Sequence, residues 1–407
     1  MQLTSDQQTA LKELNKFILH PTRPIHILSG YSGCGKSTLV KFFLAGLPEV
    51  IRTQKLLVPS TIEMPLILAA STNKAARVLS DILDTDVGTI HSSLGIKIKF
   101  DYKTGKVTTL VNPVPVENSL ILIDECSYID DVFLTTIYRS TTNCKFLFIG
   151  DSAQLNIKGK PVVFNKNYPE SKLTKVVRQS EGNPIIDVAT NFRNVVNGAT
   201  WKPFKLIDPY ITKLTKPDFN RLIKQEFNNC NWDASKSKLV AWRNNTVIEY
   251  NKFIQSSENT HTFPKHTYAI CNSYIQNLFS LNSISTEELV YIQESTRGTD
   301  LDVEGTWVTI KDACYFVPDN FKVKEALLKL FRKEQEWEKV KKITSTWIDL
   351  RHPYASTVDK AQGSTYDKIF IDLDDLSRCT NPNRLARMLY VAVSRARHQV
   401  IFTGDFG

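Results

Sequence analysis

At 407 residues the chain exceeds what one hydrophobic core usually organises, so two to four domains are expected. Apolar residues make up 42% and charged residues 23%, which excludes a fibrous or disordered chain; no run of eighteen apolar residues offers a membrane span. The formal net charge of +9 favours a polyanionic partner without establishing one. Seven cysteines without a C-x-x-C pair argue against a disulfide scaffold or a zinc site and for a reducing compartment. The polar start, Met1 to Asp6, carries no apolar signal segment, so a cytoplasmic location is expected.

In chain order, Thr4 or Ser5 caps a first helix whose buried stripe is Leu11, Leu14 and Phe17. The apolar run Ile25 to Leu28 then leads into Gly30-Tyr31-Ser32-Gly33-Cys34-Gly35-Lys36-Ser37, which matches G-x-x-x-x-G-K-[ST] at every fixed position. Leu39, Val40, Phe42, Phe43 and Leu44 continue on a helix. A strand, a glycine turn and a helix start hold a phosphate chain, because small residues let backbone N–H groups converge and the helix dipole adds to them. Lys36 is placed to reach the β- and γ-phosphates and Ser37 to ligate Mg²⁺.

Pro65 to Ala70 reads as a second strand, followed by a helix from Thr72 through Leu79 and Ile82. Gly95 to Tyr102 alternates apolar and polar residues, turns at 103–106 and returns over Val107 to Val111, the pattern of an inserted hairpin. Leu120 to Ile123 is a strand ending in Asp124 and Glu125. Asp124 can hold Mg²⁺ through water opposite Ser37, and Glu125 can orient or deprotonate an attacking water. The strand from Lys145 to Gly150 leads to Gln154, whose amide has the reach and the donor–acceptor pair to sense a γ-phosphate. Apolar strands alternating with helices predict a mostly parallel sheet, with polar residues collected at its C-terminal edge.

After Thr174 a second α/β region is expected, with strands at Lys238 to Trp242, Lys368 to Leu373 and Val400 to Phe402. It includes a helix over Ala386 to Arg395 with Met388, Leu389 and Val393 inward. The interval 256–345 differs. It carries strand-like pieces at Glu288 to Ile292 and Thr306 to Ile310, then a charged helix from Lys322 to Val340 with Ala326, Leu327, Leu330 and Phe331 inward. Arg178 and Arg395 offer rigid forks suited to phosphate oxygens; from composition alone, a surface salt bridge is an equal reading for each.

Together these motifs resemble superfamily 1 helicases, and within them the 5′-to-3′ branch of Dda-like phage helicases with the RecD and Pif1 helicases. Leu3 to Gln7 resembles the N-terminal glutamine motif, in which Gln7 would read adenine. Ala70 to Ala76 and Thr89-Ile90-His91-Ser92 resemble elements that touch the DNA backbone, and Arg178 with Pro184 to Ile186 resembles the fourth motif. Ser356 to Gly363 resembles the fifth motif, although Asp359 stands where relatives usually carry histidine. Tyr390 to Arg397 resembles the sixth, with Arg395 as arginine finger. The resemblance implies an α/β fold of two RecA-like P-loop domains with an inserted pin hairpin and an SH3-like β-rich insertion. The expected boundaries are 1–175 for the first motor domain, with the hairpin at 84–113; 176–255 and 346–407 for the second; and 256–345 for the insertion.

It also implies ATP and Mg²⁺ as cofactors. Lys36, Asp124, Glu125, Gln154, Arg178 and Arg395 would be catalytic. Gln7, Gly30, Ser32, Gly33, Cys34, Gly35, Lys36, Ser37, Thr38 and Gly363 would bind nucleotide. Thr72, Lys74, His91, Thr357 and Lys360 are the candidates for DNA backbone contact, with an ordinary surface lysine the alternative for Lys74 and capping or packing for His91. Trp242 is the candidate for base stacking, with a core tryptophan an equal reading, and Phe100 and Tyr102 are the candidates for the pin. The expected activity is ATP-dependent 5′-to-3′ translocation on single-stranded DNA with duplex unwinding, in replication, recombination or repair, by a chain that functions as a monomer. Fork or tailed duplex DNA and single-strand-binding or replication proteins are the expected partners, and host cytoplasm the location if a phage encodes it. An RNA-directed helicase and an ATP-gated nucleic-acid clamp that does not unwind stay open at this point.

Overall fold

A computed structural model describes residues 3–58, 64–100, 107–112, 114–155, 162–178, 182–229, 232–255, 263–280 and 282–405. The chain divides into two compact units. The first comprises Met1–Thr212, Gln362–Thr365 and Cys379–Val400; the second comprises Lys213–Ala361, Tyr366–Arg378 and Ile401–Gly407.

The first unit is organised by a six-stranded sheet in the order Glu170–Leu173, Ile25–Gly30, Lys145–Gly150, Leu120–Asp124, Leu66–Ala70, Gly88–Thr89. All of its pairings are parallel. Strands buried on both faces read as continuous apolar runs, and Leu120-Ile121-Leu122-Ile123 and Phe146-Leu147-Phe148-Ile149 are such runs. Their alternation splits them between two cores. Leu28, Leu122, Leu147 and Ile149 pack with Leu14 and Phe17 of helix Ser5–Leu19 and with Leu39 and Phe43 of helix Lys36–Leu57. Ile27, Ile121, Ile123, Phe146 and Phe148 pack with Ile90, Leu134 and Ile137 on the other side.

Thr4 rather than Ser5 is the first cap: its side chain accepts from the Gln7 backbone while the Gln7 side chain accepts from the Thr4 N–H, a reciprocal capping box. Helix Pro184–Val196 packs along helix Pro382–Ser394, which is buried from Ala386 to Ser394. The hairpin forms as expected between Lys97–Phe100 and Val107–Leu110, in antiparallel register with Lys97 opposite Leu110 and Phe100 opposite Val107. Its tip, with Tyr102, and the Phe100 side chain lie outside the described residues.

In the second unit, Ser237–Ala241 pairs in parallel with Ala355–Thr357 and Tyr366–Asp372. The sheet order continues to Ala396–Thr403 and Ile211–Leu214, two strands along which the chain passes from one unit to the other. Around this lie antiparallel sheets: Tyr268–Cys271 between Leu289–Tyr291 and Leu350–Arg351, and the meander Glu294–Asp300, Val303–Ile310, Ala313–Pro318. The fold is therefore α/β, with parallel RecA-like sheets and antiparallel hairpin and insertion sheets.

The single helix expected from Lys322 to Val340 is two, Lys322–Lys333 and Trp337–Thr346, separated at Gln335 with φ of 60°. The second helix folds against the first, and the packed stripe becomes Leu327, Leu328 and Phe331 with Val340, Ile343 and Trp347. Ala326 and Leu330, expected inward, are exposed.

Candidate nucleotide site

The C-terminal ends of the first sheet's strands converge because the register places Ala70 beside Asp124, Ser29 beside Gly150 and Gly30 beside Leu173. The loop after Gly30 turns through Gly33 at φ of 80° and Gly35 at φ of 76°, a left-handed backbone that side chains rarely adopt. Space forbids a side chain as well: a Cβ on Gly33 would lie 2.7 Å from Arg178 Cβ, and one on Gly35 would lie 2.6 Å from Gln7 Nε2. Lys36 Nζ donates to the carbonyls of Gly30 (3.0 Å) and Tyr31 (3.1 Å), so its ammonium is held over the loop.

The loop borders a cleft of about 430 Å³ lined by Ser32, Gly33, Gly35, Lys36, Ser37, Thr38, Asp124, Glu125, Gln154, Arg178, Gly363, Thr365, Arg395 and Arg397, with Ala75, Val78, Ile82 and Val177 as its apolar wall. Every one of these residues belongs to the first compact unit. The sequence candidates for nucleotide binding and catalysis thus meet, with three exceptions. Gly30 and Cys34 pack behind the loop, and Gln7 is buried with both amide ends engaged: Nε2 donates to the Cys34 carbonyl at 3.0 Å and Oε1 accepts from Thr4 N at 2.9 Å.

Asp124 and Glu125 sit where the strand ends. Glu125 adopts φ of 52°, a strained conformation for a side-chain-bearing residue, and its N–H donates to Asp124 Oδ1 at 2.8 Å. Burial, with the Glu125 carboxylate next in weight, pushes the Asp124 carboxyl up to about 7. Two adjacent half-buried carboxyls suit a cation. Among the described residues no three His, Cys, Asp or Glu side chains cluster to hold a metal alone. Mg²⁺ binds through few protein ligands plus phosphate oxygens and water, so Ser37 and Asp124 at this cleft fit that mode.

The cationic side is equally built. Arg178 Nη1 donates to the Ser394 carbonyl at 2.8 Å and to Ser32 Oγ at 3.3 Å. Arg395, 2% exposed, donates to Ser32 Oγ and to the carbonyls of Val391 and Ser364, both at 3.2 Å. Burial, then the neighbouring Arg395, lowers Arg178 to about 9. Two guanidiniums bonded to neutral oxygens, Arg395 buried and Arg178 half-buried, could together hold an anion such as a triphosphate end. For Arg395, which is buried, a surface salt bridge does not describe the environment.

Other polar residues escaped the sequence reading. Gln154 Oε1 accepts from Gln362 Nε2 at 2.8 Å, both buried. Arg387 Nη1 donates to the carbonyls of Ser152 (2.7 Å) and Gln154 (2.8 Å). Asp151 is fully buried against Arg193 at 2.6 Å and Tyr390 at 2.5 Å. The available signal was an arginine inside each of two apolar helices, Pro184–Val196 and Pro382–Ser394, where a buried charge requires a partner.

The candidates for nucleic-acid contact are dispersed. Thr72 is exposed and caps helix Asn73–Leu83 by accepting from Ala75 N at 3.1 Å; Lys74 is half-buried. His91 is half-buried and stacks on Phe133, ring centroids 4.7 Å apart, and burial lowers its pKa. In the second unit Trp242 is half-buried, its backbone N–H donating to Asp375 at 2.7 Å. Thr357 and Lys360 line a separate cleft of about 360 Å³, in which Lys360 pairs with Glu287 at 2.7 Å.

A parallel α/β sheet carrying this cleft defines the class: the chain has a superfamily 1 helicase fold, related to the RecD, Pif1 and Dda-like helicases. Residues 16–160 match the AAA domain family, and residues 352–403 match the UvrD-like helicase C-terminal domain. Among individual proteins, the chain is 24% identical to the ATP-dependent DNA helicase dda of Enterobacteria phage T4, covering 98% of this chain and 99% of that one. It is 21% identical to an uncharacterized protein of Acanthamoeba polyphaga mimivirus, covering 97% of this chain and 98% of that protein. The Pif1 helicase from Bacteroides in complex with ADP-AlF3 and ssDNA superposes with a TM-score of 0.53 at 16% identity, over 100% of this chain and 93% of that one. No helix among the described residues is long and apolar enough to cross a membrane.

Proposed function

We propose that the chain is an ATP-dependent DNA helicase that translocates 5′ to 3′ on single-stranded DNA and unwinds duplex as a monomer. The observation that carries this reading is the cleft itself, which unites Lys36, the Asp124–Glu125 pair, Gln154, the half-buried Arg178 and the buried Arg395. The phage T4 relative is named an ATP-dependent DNA helicase, and the Bacteroides Pif1 structure holds ssDNA; both support DNA as the track.

In this reading Ser37 and Asp124 would hold Mg²⁺, which would supply charge neutralisation for the phosphates. Glu125 accepts the proton of the attacking water, Gln154 orients that water, and Lys36, Arg178 and Arg395 stabilise charge on the transferred phosphoryl group. Gln7, Gly30 and Cys34 shape the loop from behind. The segments Gln362–Thr365 and Cys379–Val400 carry Gly363 and Arg395 to this cleft, and in sequence each is flanked by residues of the second unit. Binding and loss of the γ-phosphate would thus be felt along two chain segments that lead into the second unit. Thr72, Lys74 and His91 in the first unit, and Trp242, Thr357 and Lys360 in the second, would contact the strand. Phe100 and Tyr102 would form the pin, 256–345 the SH3-like insertion.

A partial duplex with a free 5′ tail, run beside a 3′-tailed control, tests the reading. ATP-dependent strand separation from the 5′ tail is expected. Separation only from the 3′ tail overturns the polarity; hydrolysis without separation on either substrate makes the protein a clamp; stronger stimulation of hydrolysis by RNA overturns DNA as the track.

A further inference from the structure

We propose that Tyr390 is a positioning residue of the nucleotide site: its hydroxyl, fixed by Asp151 and Arg193, sets the phosphate loop at Ser32 so that Arg178 and Arg395 converge on one point. The inference rests on the hydrolase reading above and deepens it.

A phenol has one proton to donate and two lone pairs to fill. Tyr390 uses all three. Its O–H donates to Asp151 Oδ2 at 2.5 Å, and its oxygen accepts from Ser32 N at 2.8 Å and from Arg193 Nη1 at 3.1 Å. Asp151 is held in turn, its Oδ1 accepting from Arg193 at 2.6 Å and from Ala153 N at 3.0 Å. The Arg193 guanidinium lies over the Tyr31 ring, 3.9 Å from its centroid. Burial raises the Tyr390 pKa well above its ordinary value, so the hydroxyl keeps the proton it gives to Asp151.

The consequence falls on one loop residue. The Ser32 N–H is tied to Tyr390, and the Ser32 hydroxyl is the shared acceptor of Arg178 and Arg395. Tyr390 lies on helix Pro382–Ser394 and Arg395 is its C-cap, so one rigid segment grips Ser32 at both of these groups. Moving the loop by a few tenths of an ångström moves the acceptor on which both arginines meet. Ser32 stands at the cleft between the loop and these arginines, where the terminal phosphate would take over as their acceptor. A well-placed hydroxyl remote from the reacting atoms then acts on turnover through geometry, whereas the remaining loop N–H groups and Lys36 continue to hold a diphosphate.

The test uses the full chain with Tyr390→Phe, Asp151→Asn and the double variant. Steady-state hydrolysis with single-stranded DNA, equilibrium binding of Mg·ADP and thermal melting are measured together. The expected result is a kcat lowered by about 10- to 100-fold in each single variant, with ADP affinity within about threefold of wild type. The double variant should lose no more than the worse single one, because both act through one hydroxyl. Unchanged kcat, equal loss of kcat and ADP affinity, or losses that multiply would overturn the proposal. So would disappearance of the cooperative melting transition in both single variants, which would make the network a folding element only. Wild-type protein that binds ADP but hydrolyses nothing would instead sink the hydrolase reading itself.

Discussion

Two clefts of the molecule treat their cations in opposite ways. In the first unit, Arg395 is buried and Arg178 half-buried, and both are bonded to a serine hydroxyl and backbone carbonyls. In the second unit, Lys360 faces Glu287 and Arg351 faces Asp349, each at hydrogen-bond distance. A buried cation bonded to neutral dipoles gains strongly from an incoming anion, while one already paired with a carboxylate gains little. The first cleft is therefore organised for one high-charge ligand held firmly. The second suits a ligand gripped weakly and released, the property that the proposed strand track requires.

The sharpest test of the first cleft is Glu125→Gln, which keeps shape and removes the base. Turnover should fall by about 10²–10⁴-fold while nucleotide binding persists. Steady-state hydrolysis beside equilibrium binding of Mg·ATP decides it; retained DNA-stimulated hydrolysis would remove Glu125 from the water-activating role.

Next comes the ion pair behind the loop. Arg193 and Asp151 have side chains 2% and 0% exposed, so Arg193→Ala strands a buried carboxylate and should cost about 3–5 kcal/mol. Denaturant midpoints measure this. A loss below about 1 kcal/mol, the range of surface pairs, would show that water reaches Asp151 and that the network is looser than its geometry implies.

Acid should weaken the same unit. His26, on the strand that leads into the loop, is pushed down to about 4, chiefly by burial. Its folded pKa lies below the unfolded value near 6.5, so the unfolded chain takes up the proton first. The stability it contributes is complete above about 6.5 and is lost as pH falls towards 4, on the order of 2 kcal/mol after discounting partial solvation. His26→Phe should flatten the dependence of unfolding free energy on pH across that window; parallel curves for variant and wild type would refute the assignment.

How far the sequence reaches differs between the clefts for a physical reason. The phosphate loop, the Asp124–Glu125 pair and Gln154 were legible because their chemistry demands fixed spacing beside apolar strands. Arg193, Arg387 and Gln362 were not, since their partners Asp151, Ser152 and Gln154 lie far away in sequence and only the fold brings them near. Gln7 shows the reverse limit: its motif was visible, but the capping box and the bond to Cys34 appear only in coordinates. The broken helix at Gln335 was missed because the charged run continues through it without glycine or proline. Lys360 was read as a backbone contact from its motif, and nothing in the local sequence announces Glu287, 73 residues earlier, as its partner.

That pairing gives the smallest and most discriminating prediction. If Lys360 touches a strand phosphate, it must leave Glu287 or share its charge with it. Lys360→Ala should then weaken single-strand binding only a few-fold, because the pair carries little net charge. Glu287→Gln should act in the opposite direction, tightening binding a few-fold and steepening the plot of log affinity against log salt by about 0.7, the value of one added phosphate contact on a single strand. Fluorescence anisotropy with a labelled oligonucleotide across a salt series reads both. An unchanged slope in Glu287→Gln would place the strand elsewhere than the cleft of Thr357 and Lys360, and the contrast between a firm nucleotide site and a weak, neutralised track would then have to be drawn from the first unit's Thr72, Lys74 and His91 instead.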